Sequence, residues 1–86
     1  MTYKIHREKG YPHTALISIK LKTDKPDECA KILKHLLPGR TIVVWDEYAG
    51  KVSMEATYNS KYWELSKIKE EVEEIIHEFE QRANII

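Results

Sequence analysis

"TALISIKLK", residues 14–22, decides the fold. Ala15, Ile17, Ile19 and Leu21 fall on one side of an extended chain; Thr14, Leu16, Ser18, Lys20 and Lys22 fall on the other. That alternation belongs to a half-buried strand. What flanks it decides whether the strand lies inside a sheet or at its border. Upstream, residues 1–13 carry Gly10, Pro12 and little periodicity, and read as a flexible lead-in or a short extra strand. With that lead-in set aside, the strand is the first of a domain spanning 14–83, followed by a tail at 84–86.

Downstream, "TDKPDE" opens a helix. Asp24 can cap it, Pro26 suits its first turn, and Asp27 and Glu28 favour the positive end of its dipole. Cys29, Ile32, Leu33 and Leu36 recur at helical spacing, and Pro38-Gly39 ends the run. "TIVVWDEY" and "KVSMEATY" then form two strands around Ala49-Gly50. A two-residue turn would force Ala49 to positive φ, so a three-residue loop with Gly50 in the left-handed position is expected. That register pairs Val44 with Met54 and Ile42 with Ala56 on the core side and turns Val43 and Trp45 outward. The rival register exchanges the faces. From Ser60 to the Arg82 region, Leu65, Ile68, Val72, Ile75 and Phe79 step by three and four, with Ile76 widening the stripe.

The order is βαββα, an α+β domain. The expected sheet is three-stranded and antiparallel in the order 1-3-2, with two helices on one face. The strand at 14–22 is then a long, apolar, uncovered border, which monomers usually avoid. Pairing through Leu16, Ile17, Ser18, Ile19, Lys20 and Leu21 with a second chain would complete a six-stranded sheet.

A chain of 86 residues buries only about 60–65% of its unfolded surface, so a partner would add stability. The formal charge is zero, but residues 1–43 hold nine Lys/Arg and four Asp/Glu, whereas residues 44–86 hold five and ten. The molecule is dipolar, and attraction of the whole surface to nucleic acid is not implied. No apolar run suits a membrane span, the opening residues hold no signal core, and a single cysteine cannot form an internal disulfide. These features point to the cytoplasm. Abundant Lys and Glu beside a lone glutamine, Gln81, hint at a thermophile.

Catalytic chemistry finds no footing here. Cys29 lies on the apolar stripe of its helix and reads as core. His6, His13, His35 and His77 lack ligand spacing, so no metal and no cofactor is expected. The three glycines are isolated, with no phosphate loop among them. The run from Glu70 to Glu80 reads as a solvated helix face. Lys20, Lys22 and Arg40 are the candidates for RNA contact, with Trp45 and Tyr48 as stacking surfaces. Tyr62, Trp63 and Trp45 are the candidates for docking a protein partner, against the plainer reading that the first two seal the core.

The strand at 14–22, the helix "DKPDECAKILKHLLP", the hairpin "VVWDEYAGKVSMEAT" and the helix just after it also carry a family likeness. Over residues 14–80 the chain resembles the small dimerising subunit of the archaeal and eukaryotic KEOPS complex, which helps place threonylcarbamoyl-adenosine in transfer RNA. "MEAT" and Ser60 match the family's entry into its second helix. Trp63 or its neighbour stands where the family has an arginine, and Ser66-Lys67 or residues nearby replace its later polar pair. In that family two copies join through their sheets, and the helices dock on the subunit that transfers the threonylcarbamoyl group. The resemblance implies a non-catalytic accessory subunit, a divergent archaeal paralogue that pairs with a related small subunit or with itself. Contact with the catalytic subunit and an indirect link to transfer RNA would follow from that. A stand-alone dimeric RNA-binding module is the alternative.

Overall fold

The computed structural model describes residues 1–84. The chain runs β1 (Thr2–Glu8), β2 (Tyr11–Leu21), α1 (Pro26–Leu36), β3 (Val44–Tyr48), β4 (Lys51–Asn59) and α2 (Leu65–Arg82). One four-stranded antiparallel sheet has the order β1-β2-β4-β3. The α+β class holds, and the central strand of the expected 1-3-2 order is where the pattern placed it. The expected βαββα chain with three strands is corrected to ββαββα with four.

The added strand is the lead-in, which takes the short-strand alternative. Lys9-Gly10 closes a hairpin, with Gly10 at φ 85° and a register shift between Arg7 and Glu8. Thr2 then lies opposite Lys20, Lys4 opposite Ser18 and His6 opposite Leu16. The border of β2 that the sequence left bare is occupied by the chain's own first strand. Leu16–Lys20 therefore offer no free backbone to a partner, because each is paired on both sides, and Leu21 pairs with Val52 of β4.

One face of the sheet is packed. Ala15, Ile17, Ile19 and Leu21 of β2 and Val52, Met54, Ala56 and Tyr58 of β4 are buried there. Cys29, Leu33 and Leu37 join from α1 and its end, and Ile68, Val72, Ile76 and Phe79 from α2. Both helices thus share one side, as the alternation requires. The packing reading of Cys29 holds, since its thiol is buried in this core. Of the adjacent pair in the α2 stripe, Ile76 is fully buried and Ile75 half-buried. Removing a side chain such as Ile17 or Phe79 costs about 2–5 kcal/mol in comparable cores.

The β3–β4 register differs from the expected one. Trp45 pairs with Met54 and Val44 with Glu55, across a two-residue turn with Ala49 at φ 52° and Gly50 at φ 75°. The mirror-type turn matches the strand twist. Holding Ala49 left-handed costs about 1–2 kcal/mol, and the register it allows puts Trp45 over the packed side while Val44 and Ile42 face outward.

Two helix starts also move. Lys25 caps α1 without a side-chain bond, and the hydroxyl of Thr23, not Asp24, accepts from the Lys25 amide at 3.0 Å. The second helix begins at Leu65 rather than Ser60. Residues 60–64 are held as a linker because Ser60 accepts from the Tyr62 amide at 3.0 Å. Of the expected tail, residues 85 and 86 lie outside the described residues. No helix among the described residues is long and apolar enough to cross a membrane.

Candidate interaction surface

Three regions collect the side chains that packing does not consume. The first is the open face of the sheet. Leu16 stands near its middle, flanked by His6, Ser18, Glu55 and Thr57, while Ile42 and Val44 project at its β3 side. Together they line a shallow depression of about 350 Å³. Ile42 is 73% exposed and Val44 56%. Among the described residues no helix covers this face, which the strand alternation makes mixed polar and apolar.

The second region is the two borders of the sheet. β1 and β3 each have one neighbour, β2 and β4 respectively, so one line of backbone amides and carbonyls on each is unpaired within the sheet. Their charges are opposite in sign. β1 carries Lys4, His6 and Arg7 against Glu8, whereas β3 carries Asp46 and Glu47. The borders are also anchored differently. On β1 the Tyr3 hydroxyl donates to Glu73 of α2 at 3.1 Å, and the Arg7 guanidinium donates to the Trp63 carbonyl. All five residues of β3 are exposed.

The third region is the linker between β4 and α2. Tyr58 donates to one Glu71 oxygen at 2.9 Å, and Ser60 donates to the other. Burial, the Glu71 hydrogen bond and the charge of that carboxylate push the Tyr58 phenol up to about 12. Burial and Glu73 likewise raise the Tyr3 phenol above its ordinary value. These bonds fasten the linker to α2 and occupy both Glu71 oxygens with one hydrogen bond each.

The predicted site residues separate on these surfaces. Ile17, Ile19 and Leu21 are core, and Leu16, Ser18 and Lys20 lie on the open face. Tyr62 is half-buried against the core, with the Lys61 and Lys67 ammonium groups 5.2 Å and 4.9 Å from its ring centroid. Trp63 is 67% exposed and belongs to the linker, not to a helix. The core-sealing role therefore falls to Tyr62 alone. Trp45 sits on the packed side of the β3 border and is partly exposed. No family model, no curated protein and no solved structure matches this chain.

The RNA candidates do not form one strip. Lys20 opens beside Tyr48 and Lys51, whereas Lys22 lines a different hollow with Asp24, Lys25, Glu28 and Arg82. Arg40 lies in an exposed turn after Gly39. Trp45 faces the packed side, away from Lys20, so the expected stacking surface loses one of its two aromatics. Tyr48, 80% exposed, remains on the open side. Sequence reasoning carried the outward pair Ile42 and Val44 only as the rival register, which is the one formed, and missed the opposed charges of Lys4 and Asp46. The hairpin register was the signal for the first. The alternation Tyr3, Ile5, Arg7 was the signal for the second. Among the described residues no three His, Cys, Asp or Glu side chains gather as a metal site.

Proposed function

We propose that this chain is a non-catalytic assembly subunit that pairs with another small protein through its sheet. In the reading suggested by the KEOPS resemblance, the partner is a related small subunit and the assembly supports threonylcarbamoyl-adenosine modification of transfer RNA. One observation carries the proposal: the sheet keeps two unpaired borders and an uncovered face on which Leu16, Ile42 and Val44 stay in water. Exposed apolar side chains beside free strand backbone are the features by which one sheet accepts another chain. The seam moves from β2 to the outer borders, since β1 fills the place expected for a partner. Trp63, exposed beside the start of α2, is the residue best placed to meet a catalytic subunit on the helical side.

Light scattering of the chain alone, and mixed with a small subunit of that family, tests the proposal. A stable mixed complex, or self-association at raised concentration, is the expected result. A monomer in both samples would contradict it. Adding the chain to the reconstituted modification complex should raise threonylcarbamoyl-adenosine yield; an unchanged yield removes the link to that pathway.

A second reading has one observation in its favour. Lys20, Lys51 and the exposed ring of Tyr48 line a single hollow on the hairpin tip, a small basic and aromatic platform for single-stranded RNA. Filter binding of transfer RNA across a salt series should then show retention that falls as salt rises. No retention at low salt contradicts that reading.

A further inference from the structure

The two borders of the sheet fit each other. β1 runs antiparallel to β2, β2 to β4, and β4 to β3, so β1 and β3 point in opposite directions. A second copy placed alongside, without being turned over, presents its β3 antiparallel to the first copy's β1. The alternation then continues through the junction, and the helices of both copies stay on the same side.

Side chains choose the register. On β1, Tyr3 and Ile5 share the packed side, opposite Ile19 and Ile17; Thr2, Lys4 and His6 share the open side, opposite Lys20, Ser18 and Leu16. On β3, Trp45 and Glu47 share the packed side, and Val44, Asp46 and Tyr48 the open side. Directly opposed residues in an antiparallel pair must face the same way. Two registers satisfy this along β3, and one of them stays clear of the register shift between Arg7 and Glu8: Thr2 against Tyr48, Tyr3 against Glu47, Lys4 against Asp46, Ile5 against Trp45, and His6 against Val44. It sets an opposite-charge pair on the open face and covers the partly exposed Ile5 and Trp45 on the packed one.

Like-with-like pairing sets no opposite-charge pair when the strands are fully overlapped. Two β1 strands fully overlapped put Lys4 opposite His6, and two β3 strands fully overlapped put Asp46 opposite Asp46.

We infer that copies of this chain join head to tail, β1 of one pairing with β3 of the next, with Lys4 of one copy against Asp46 of its neighbour. This rests on the assembly reading above and names the partner as a second copy. The contact is heterologous, so each added copy leaves a free border at either end, and association does not stop at two. A five-residue seam of this kind is weak, concentration-dependent and loosened by salt.

Sedimentation equilibrium of the full chain tests it, using Lys4→Glu, Asp46→Lys and an equimolar mixture of the two. Lys4 and Asp46 are exposed, and circular dichroism checks that both variants keep the fold. Wild-type mass should climb past that of a dimer with concentration and fall back in high salt. Each variant alone should associate roughly fivefold to tenfold more weakly, because attraction at the pair becomes repulsion. The mixture should regain association, since the carboxylate introduced on β1 of one variant then meets the ammonium introduced on β3 of the other. Variants that associate as the wild type does, or a mixture that regains nothing, would overturn the inference. A wild-type mass that halts at a dimer would also overturn it while leaving the assembly reading intact. A chain that stays monomeric and captures no family relative loses both.

Discussion

The two borders of one sheet are built to different standards. β1 spans seven residues, lies along β2, and is tied to the helical layer through Tyr3 and Arg7. β3 spans five residues, of which Trp45 is the most covered at 37% exposure, and depends on its hairpin with β4. One border is therefore part of the folded unit, while the other is an attachment to it. Stability at a strand comes from what its side chains reach across the sheet face, more than from its ladder alone. The same contrast separates the roles. The firm border shields the core strand β2, and the loose border leaves Val44, Trp45 and Tyr48 in reach of another molecule.

The contrast can be broken most severely by removing residues 1–9. That uncovers β2 along its length, with Ile17 and Ile19 beside the gap. The truncated chain should precipitate or pair through β2, forming the six-stranded sheet that the intact chain precludes; light scattering reads the outcome. A soluble, monomeric truncation of unchanged melting temperature would show that β1 is dispensable.

Point changes sharpen the comparison at smaller scale. Ile5→Ala on β1 should cost about 1–2 kcal/mol in urea unfolding, a partial form of the cost of truncating a core aliphatic side chain. Val44→Ala on β3 should stay within about 0.5 kcal/mol, as exposed positions do. Equal losses would erase the distinction.

The linker over the β1–β2 side gives a pH signature. Tyr58 has its folded value pushed up to about 12 from the ordinary 10.0. A raised phenol contributes stability that is fully present below about pH 10 and is lost as pH rises through 12, because the unfolded chain ionises first. Tyr58→Phe should lower stability by about 1–2 kcal/mol at neutral pH by removing the hydrogen bond to a carboxylate. It should also flatten the alkaline decline. An unchanged slope between pH 10 and 12 would mean that Tyr58 is not held by Glu71.

The smallest effect lies in the β3–β4 turn. Ala49→Gly relieves the left-handed alanine and should raise stability by about 0.5–1 kcal/mol. A loss would indicate the three-residue loop and the exchanged register. That single substitution therefore also reports which face of β3 carries Val44.

Much of this fold is legible in the sequence. Strict alternation in 14–21 and 51–58 named the packed side of the two central strands, and helical spacing named Leu33, Ile68, Val72 and Phe79. Where the reading failed, side chains answered to neighbours that are distant in sequence. Tyr3, Ile5 and Arg7 alternate, yet a phenol and a guanidinium at the rim end in hydrogen bonds to α2 and its linker, so the stretch lacks an apolar signature. Ala49 looked unsuited to a left-handed turn, but strand twist and the position of Trp45 over Met54 outweigh a local penalty. Ser60 marked the expected start of the second helix and instead donates to Glu71 from the linker before it. The border strand was misplaced: the strand at 14–22 is paired by β1 and β4, and the unpaired borders lie on β1 and β3. Trp63 was named from residue type alone and is exposed, whereas Tyr62 beside it packs inward.

Residue-resolved amide exchange, in dilute and in concentrated protein, tests the pairing of the two borders most directly. The account predicts that amides on the outer lines of β1 and of β3 slow together as concentration rises, while those of β2 and β4 keep the same protection throughout. Slowing along β1 alone, or along neither border, would contradict it.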